Sequence, residues 1–482
     1  MSRLARCAQR SAAQLAAVDI SRDEAVRELV ELSLQRRKLD LSDLSPQEQA
    51  TMIGQRCQQL QPSTEALAER VAGAAKKGRA FVAKFGIDPT GAEVHLGHAV
   101  PMVLLSRFQR MGHQVVFIVG DVTAKIGDPS GRSDERPALT DDDIATNLAT
   151  YKDQVAPFFD FSRAQFRYNG DWLRLVTLPR LIEIAAHVPL SMSLQREDFR
   201  QRLSVGHSLS LAELLYSVAM ALDSVEVECD IEVGGIDQYL NMQMCRKVMQ
   251  ICGQQPELVA AVPLIEGTDG SGAKMSKSRG NYVPLAAPPG EVFGKLMSVP
   301  DRLVWPYFRA LTEWSDQELA VLQERLGQGS LHPVDLKKVL AGDVTAALHG
   351  ADAAMKAREE FAAQFARRHF GDVEGLPVVR DAGEPLMAVV RALGFVSSNS
   401  DARRAAQQNA VRLVFEPRSG AGQAQAVITP DELPEALGGL LVEKFGEETG
   451  TYFVKVGRKL ARVERDSDVL SEEAGTGRTQ PQ

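Results

Sequence analysis

Residues 80–121 constrain the fold of this chain more than any other stretch. AFVAKFGID (80–88) reads as a strand and ends in Pro89-Thr90-Gly91. VHLGHAVPMVLLSRFQRMG (94–112) then shows helical spacing and stops at Gly112. QVVFIVGD (114–121) is apolar without alternation, as a strand covered on both faces of a parallel sheet reads. Strand, helix and strand within about 40 residues make a βαβ unit, whose crossover lays the two strands parallel. The expected fold class is therefore α/β around a parallel sheet.

The rest of the chain is organised around that unit. At 482 residues it exceeds one ordinary domain. Residues 1–75 read as helical and polar, with breaks at Ser45-Pro46 and at 62–64. Pro62-Ser63-Thr64 before EALAER reads as a helix start, with Ser or Thr as cap and Glu65 in the first turn. Helical stretches dominate 140–225. CDIEVGGID (229–237) and AAVPLIEG (260–267) are short strand candidates around the helical YLNMQMCRKVMQICG. Residues 300–370 read as helices, and about 380–468 as a separate small α/β unit. SEEAGTGRTQPQ (471–482) reads as a disordered polar tail.

Composition narrows the function classes. No apolar run reaches the roughly 18 residues of a membrane-spanning helix. A net charge of -8 argues against nucleic-acid binding by the whole surface, while leaving room for a local basic face. Five cysteines without a C-x-x-C pair fit unpaired thiols in a reducing compartment and give no zinc site. The first 18 residues carry three arginines and no acid, as a mitochondrial presequence does, but read better as the start of a bacterial cytoplasmic chain.

Four short motifs carry chemistry. His95-Leu96-Gly97-His98 opens a helix just after a strand, where free N–H groups attract anions. The two histidines share a helical face, and Gly97 lets a ligand approach the backbone, so the motif suits a polyphosphate. GDVTAKIGDPSGR (120–132) runs from a buried strand into a loop bearing Asp121, Asp128 and Arg132, and Asp128 suits an ammonium group. GGIDQ (234–238) offers a glycine pair, Asp237 for ribose hydroxyls and Gln238 for a carbonyl or carboxylate. GAKMSKSRGN (272–281) places Lys274 and Lys277 on a glycine-flanked loop able to close on developing phosphate charge. Taken singly, each also reads as an ordinary surface turn or solvated basic loop. The Walker pattern fails because Ala273 intervenes between Gly272 and Lys274, and no H-E-x-x-H or G-x-S-x-G occurs.

Together, HLGH after a strand and KMSKS about 180 residues later resemble the paired signatures of class I aminoacyl-tRNA synthetases. With GIDPT (86–90), GDPSGR (127–132), GGIDQ and the C-terminal unit, residues 75–465 resemble a bacterial-type tyrosyl-tRNA synthetase of the KMSKS-bearing branch. The resemblance implies a Rossmann-like parallel-sheet catalytic domain at 76–295 with a helical insertion at about 140–225. It also implies a helical anticodon-side domain at 296–378 and an S4-like RNA-binding domain at 379–468, between an N-terminal helical extension (1–75) and the tail (469–482).

The implied reaction is attack of the tyrosine carboxylate on the ATP α-phosphate, then transfer of the tyrosyl group to the 3′ end of tRNA(Tyr). By the matching motifs, Thr90, His95 and His98 face the ATP phosphates, and Lys274, Lys277 and Ser278 close over pyrophosphate. Asp88, Gly97, Gly235 and Asp237 bind ATP, and Arg132 and Arg136 edge the site. Asp128 and Tyr216 hold the amino-acid ammonium, Gln238 its carboxylate, and Asp223 the tyrosine hydroxyl. Two positions depart from the pattern. Met220 stands where the family usually has glutamine, and methionine forms no strong hydrogen bond. Lys84 stands where one branch has a tyrosine facing the substrate hydroxyl, although the KMSKS-bearing branch tends to carry lysine there.

In the C-terminal unit, GFVSSNSDARRAAQQNAVRL (394–413), VITP (427–430) and YFVKVGRKLARV (452–463) carry the S4-like resemblance. Arg403, Arg404, Lys455, Arg458, Lys459 and Arg462 would form its basic, phosphate-contacting face. ATP enters as substrate with Mg2+, and no protein-bound metal is expected. The implied partners are tRNA(Tyr), tyrosine and a second copy of the chain, with dimer contacts from around 140–200. Two alternatives stay open: a same-fold ligase for another aromatic or modified amino acid, and an inert RNA-binding protein.

Overall fold

The computed structural model describes residues 11–89, 94–127, 139–366, 376–380, 383–408, 410–417, 424–446, 450–457 and 459–464. Thr90, Asp128, Arg132, Arg136, Arg458 and the expected tail lie outside the described residues. The chain divides into two compact units, Met1–Glu359 and Glu360–Gln482.

The first unit is built on six strands: β1 (Gln59–Gln61), β2 (Val82–Ile87), β3 (Gln114–Val119), β4 (Ala164–Tyr168), β5 (Ile231–Gly235) and β6 (Leu258–Val262). Their order is β1-β6-β5-β2-β3-β4. β2 to β6 are parallel, and β1 runs antiparallel to β6 with Gln59 opposite Ala261. From β2 the chain moves outward through β3 to β4, then returns past β2 to β5 and β6. The strand order thus reverses between β2 and β5, where a crevice opens at the carboxyl ends of the strands. The ends of these two strands carry GIDP and GGIDQ.

The core explains why β3 reads as a continuous apolar run. Val115, Val116, Phe117, Ile118 and Val119 are all buried, because helices cover both faces of a parallel sheet. The crossover helix Leu96–Arg110 is buried almost all round, since the sheet covers one side and N-terminal residues the other. Leu41 N–H donates to the Arg110 carbonyl (2.9 Å), and the Arg110 guanidinium to the Arg36 carbonyl (2.6 Å).

Residues expected as an N-terminal extension are built into this unit. Helix Asp23–Arg36 is followed by helices Pro46–Gly54 and Thr64–Lys76, which begin at the two breaks read from the sequence, with Ser45 and Ser63 as N-caps. The three-residue strand β1 lies between them and extends the sheet. Buried ion pairs tie this segment to helices of the region expected as the middle domain. Arg36 binds Glu318 (2.7 Å) and Arg37 binds Asp343 (3.1 Å). Glu313, with only 8% of its side chain exposed, lies between Arg107 (3.3 Å) and Arg110 (3.0 Å) of the crossover helix.

The stretch expected to be a helical insertion at about 140–225 differs in one respect: it also supplies β4, the edge strand. Phe166 of β4 packs on Phe117 and Phe161 in an aromatic cluster. The other described segments there include helices Asp141–Val155, Leu178–Ala185 and Leu211–Glu226.

The second unit is a small α/β body. Strands β7 (Val378–Arg380), β8 (Val411–Pro417), β9 (Ala424–Val427), β10 (Gly450–Val456) and β11 (Lys459–Glu464) are ordered β7-β11-β10-β8-β9. Helices Leu386–Ala392, Asn399–Gln407 and Leu437–Phe445 accompany the sheet. Leu386, Val390, Leu413, Leu440, Tyr452 and Val454 make the core between them. Period-2 alternation in YFVKVGRKLARV places Tyr452, Val454 and Val456 in that core.

Candidate active site

The site grows from the end of β2. Asp88 follows the strand directly and accepts hydrogen bonds from the Tyr216 hydroxyl (2.8 Å) and the Thr123 hydroxyl (2.7 Å). Beyond it the crossover helix begins, with His95 as its N-cap. The His95 Nδ1 accepts the Gly97 N–H (3.2 Å), and the His98 Nδ1 accepts the His95 N–H (3.2 Å). Each ring therefore uses Nδ1 as acceptor and carries its proton on Nε2, free to donate to a ligand. A Cβ on Gly97 would come within 2.9 Å of the His95 ring, so glycine is what lets this ring fold back on its own helix. Burial pushes His95 down to about 3 and His98 to about 4, helped by the nearby lysine charges. Both are neutral donors at physiological pH.

The lysine loop converges on the same place. The Lys274 ammonium donates to Asp237, just past β5, at 3.2 Å. Lys277 lies in the turn Lys277–Arg279, and its charge acts on both His95 and His98. The loop is pinned at its base. Asn281, 2% exposed, accepts the Ser276 N–H (2.9 Å), and Met275 is buried with its N–H on the Ile265 carbonyl (2.9 Å). The Lys274 side chain stays half exposed. Chain leaving the loop pairs with the helix start through the Leu96 N–H and the Val283 carbonyl (3.0 Å). A Cβ on Gly235 would lie 2.5 Å from the Asp237 carboxylate, so that glycine makes room for the acid. Gln238, half-buried, accepts from Asn241 (2.8 Å).

A second pocket-building network stands on helix Leu211–Glu226. Tyr216, Met220 and Asp223 share one face of it by spacing. Asp223 is 4% exposed and accepts from the Trp172 indole (3.0 Å) and the Asn169 amide (3.5 Å). Asn169 also donates to Thr123 (3.0 Å), which donates to Asp88. One chain of hydrogen bonds thus joins Asp88 to Asp223. Burial pushes the Asp223 carboxyl up to about 7, against the pull of Lys84, Trp172 and Asn169. Met220 is half-buried and packs against the apolar cluster around Ile184, Val218 and Met244.

Lys84, on β2, is 1% exposed. Its ammonium contacts Glu232 (2.9 Å) and the Ser224 hydroxyl (2.5 Å) below Asp223. Thr123, Asn169, Trp172 and Asn281 were not singled out from sequence. Each is a lone polar residue in an apolar or turn context, and only the fold reveals its partner. Thr90 and Asp128 lie outside the described residues, as does the side chain of Ser278.

With this geometry in view, comparison with known proteins is decisive. A family model described as tRNA synthetases class I (W and Y) matches residues 76–366. The chain belongs to the class I tRNA synthetases of the tryptophan and tyrosine group. Among the synthetases it resembles, the tyrosine–tRNA ligase of Thermotoga maritima is 39% identical over 369 residues, spanning 76% of this chain and 90% of that protein. The tyrosine–tRNA ligase of Oleidesulfovibrio alaskensis is 40% identical over 342 residues, 70% of this chain and 85% of that one.

Solved structures share the synthetase fold. A C-terminally truncated mitochondrial tyrosyl-tRNA synthetase of Aspergillus nidulans aligns with a TM-score of 0.54 at 20% identity, over 71% of this chain and 100% of that one. The tyrosyl-tRNA synthetase of Archaeoglobus fulgidus, complexed with L-tyrosine, aligns with a TM-score of 0.51 at 22% identity, over 64% and 99%. Among the described residues of this class I synthetase, only Glu232, Cys245 and Glu257 have donor atoms spaced for a metal ion, and the Lys84 ammonium already contacts Glu232. No helix among those residues is long and apolar enough to cross a membrane.

Proposed function

We propose that the chain is a tyrosine–tRNA ligase, joining tyrosine and ATP to tyrosyl-adenylate and pyrophosphate and then loading tRNA(Tyr). The observation that carries this reading is the meeting of His95, His98, Lys274 and Asp237 at the switch point of the sheet. Asp237 takes the ribose, and the Nε2–H groups of His95 and His98 donate to phosphate oxygens. Lys274 and Lys277 stabilise the charge that develops on the leaving pyrophosphate. Tyr216 and Gln238 orient the amino acid, and Asp223 accepts a hydrogen bond from its hydroxyl. No protein group needs to become covalently attached, because the tyrosine carboxylate is the nucleophile and pyrophosphate leaves with the bonding electrons. Mg2+ enters with ATP as part of the substrate.

The second unit binds tRNA in this reading. Arg403 and Arg404 are exposed on helix Asn399–Gln407, and Lys459 and Arg462 on β11. A second copy of the chain covers the exposed apolar side chains Leu175, Leu178, Ile182 and Leu190, since lone monomers rarely present so many on one short stretch. The setting is the cytoplasm, where tRNA charging supports protein synthesis.

ATP–pyrophosphate exchange across a panel of amino acids, followed by charging of tRNA(Tyr), tests the proposal. Exchange should depend on tyrosine. Stronger turnover with another aromatic amino acid, for which Met220 gives a reason to look, would overturn the substrate assignment.

A further inference from the structure

Behind Asp223 the sheet encloses charges that the adenylation chemistry does not use. Lys84 on β2 sits opposite Glu232 on β5, and Glu257 immediately precedes β6. All three are at most 1% exposed. Lys84 satisfies one oxygen of Glu232, while among the described residues no donor is in full hydrogen-bond geometry to its other oxygen or to either oxygen of Glu257, although the Ser224 hydroxyl and the Cys229 thiol lie close enough to act on Glu257. Donor atoms of Glu232, Glu257 and Cys245 lie within 4.8 Å of one another.

Two carboxylates with orphaned oxygens in one dry space cannot both stay charged against a single ammonium. One proton held between them converts an acceptor-only pair into a donor and an acceptor, and satisfies both. Burial, reinforced by the Glu232 charge, raises Glu257 well above the ordinary glutamate range, so Glu257 is where that proton resides. The pair then carries one negative charge, matched by Lys84. Cys229 and Cys245 face the same space as protonated thiols, since burial raises both.

This arrangement bears on Asp223. Ser224, its neighbour in sequence, receives the Lys84 ammonium, and the charged groups acting on the Asp223 carboxyl are Lys84 from β2 and Glu232 from β5. Trp172 and Asn169 supply its neutral donors. Asp223 is thus the one acid of the cluster left to accept from a ligand, and its charge depends on the cation behind it. We propose that Lys84, held in place by a proton-sharing Glu232–Glu257 pair, is a positioning residue that sets how this site reads the hydroxyl of its amino acid through Asp223. The inference rests on the tyrosine reading above and deepens it. Lys84 acts through Asp223, since its own ammonium is buried and held by Ser224 and Glu232. With Lys84 removed, Asp223 tips toward its neutral acid, which loses the charge-assisted hydrogen bond from the hydroxyl and presents a competing O–H donor.

Tyrosine-dependent ATP–pyrophosphate exchange on the full chain, followed against pH, tests this. In Lys84→Met the tyrosine KM should rise about tenfold or more while the ATP KM holds, because one ligand contact is lost and the other site is untouched. The acid limb of kcat/KM for tyrosine should move up by about one pH unit, as loss of a nearby cation raises an acid. A tyrosine KM and acid limb both at wild-type values, or an equal rise in the KM of both substrates, would overturn the role of Lys84. Should Lys84→Met fail to fold, Lys84→Met/Glu232→Gln removes both charges together. It should show the same selective loss in smaller measure, and no selective loss overturns the proposal. In Glu257→Gln, whose amide donates where the shared proton sits, the thermal midpoint should hold. A large drop, or release of a stoichiometric metal ion, would overturn the shared proton. Wild-type protein without tyrosine-dependent exchange would sink the functional reading instead, so the two failures are distinguishable.

Discussion

On the proposed assignment, Lys274 and the two histidines divide the work at the phosphate end of the site by charge state. His95 and His98 are neutral donors, which in that reading serve ATP in the ground state as well as in the transition state. Lys274 is a half-exposed ammonium on a loop whose base is held by Asn281 and Met275. Lys274→Ala should therefore slow adenylate formation by ~100-fold while changing ATP affinity far less, in line with loss of one charge-stabilising donor. Single-turnover rates and equilibrium binding check it, and an equal loss in both contradicts the assignment. At this scale the motif residues were legible because each motif is contiguous. The partners Thr123, Asn169 and Trp172 were not, because their hydrogen bonds to Asp88 and Asp223 join residues 35 to 54 positions apart. Met220 was legible only as a departure, and its apolar packing on the Ile184 cluster gives it a structural reason to be methionine.

Among the elements, the crossover helix connects most of the first unit. Its Arg107 and Arg110 enclose Glu313, while Arg37 of the N-terminal segment adds a third positive charge. Burial alone would raise the Glu313 carboxyl, but the three arginines overcome it and hold it at about 2. A folded value below the ordinary 4.5 means that the stabilisation is complete above pH 4.5 and fades as pH falls toward 2. Taken at face value the shift is worth about 3 kcal/mol. Glu313→Gln should thus cost about 3–5 kcal/mol at neutral pH by leaving buried arginines uncompensated. The deficit should shrink in acid. Thermal unfolding of both proteins at two pH values decides it, and a pH-independent deficit would show that the charge of Glu313 is not what matters. The strongest elements, β2, β3 and the helix between them, were plain from periodicity. β1 and β4 were not. QLQ is too short for any period, and AQFRY alternates weakly at a sheet edge, so both are defined by the neighbours they pair with. The N-terminal residues likewise look polar and detachable in sequence, since their buried arginines count as surface residues until Glu318, Glu313 and Asp343 are placed beside them.

Over the whole molecule, the division into two compact units separates chemistry from the proposed RNA contact. Arg403→Ala combined with Arg404→Ala should impair tRNA charging while leaving amino-acid-dependent exchange intact. The salt dependence of tRNA binding should flatten, with a log–log slope lower by about one to two. A parallel loss of exchange would show that the second unit does more than hold RNA. Ile182→Asp, on the exposed apolar stretch, should shift the protein toward monomer in sedimentation, and an unchanged mass would place the subunit contact elsewhere. The α/β class was legible at this scale from one βαβ unit, yet nothing in the linear order says that residues 95–98, 234–238 and 272–281 meet. That follows from the reversal of strand order between β2 and β5, which brings distant segments to one edge.

The resting contact between Lys274 and Asp237 carries a consequence of its own. On the assignment of Asp237 to ribose, a sugar hydroxyl competes with the lysine for this carboxylate. A lysine released by that competition is the same group required a moment later at the far end of the nucleotide. Arrival of the nucleotide then helps to free the very cation that its phosphates attract.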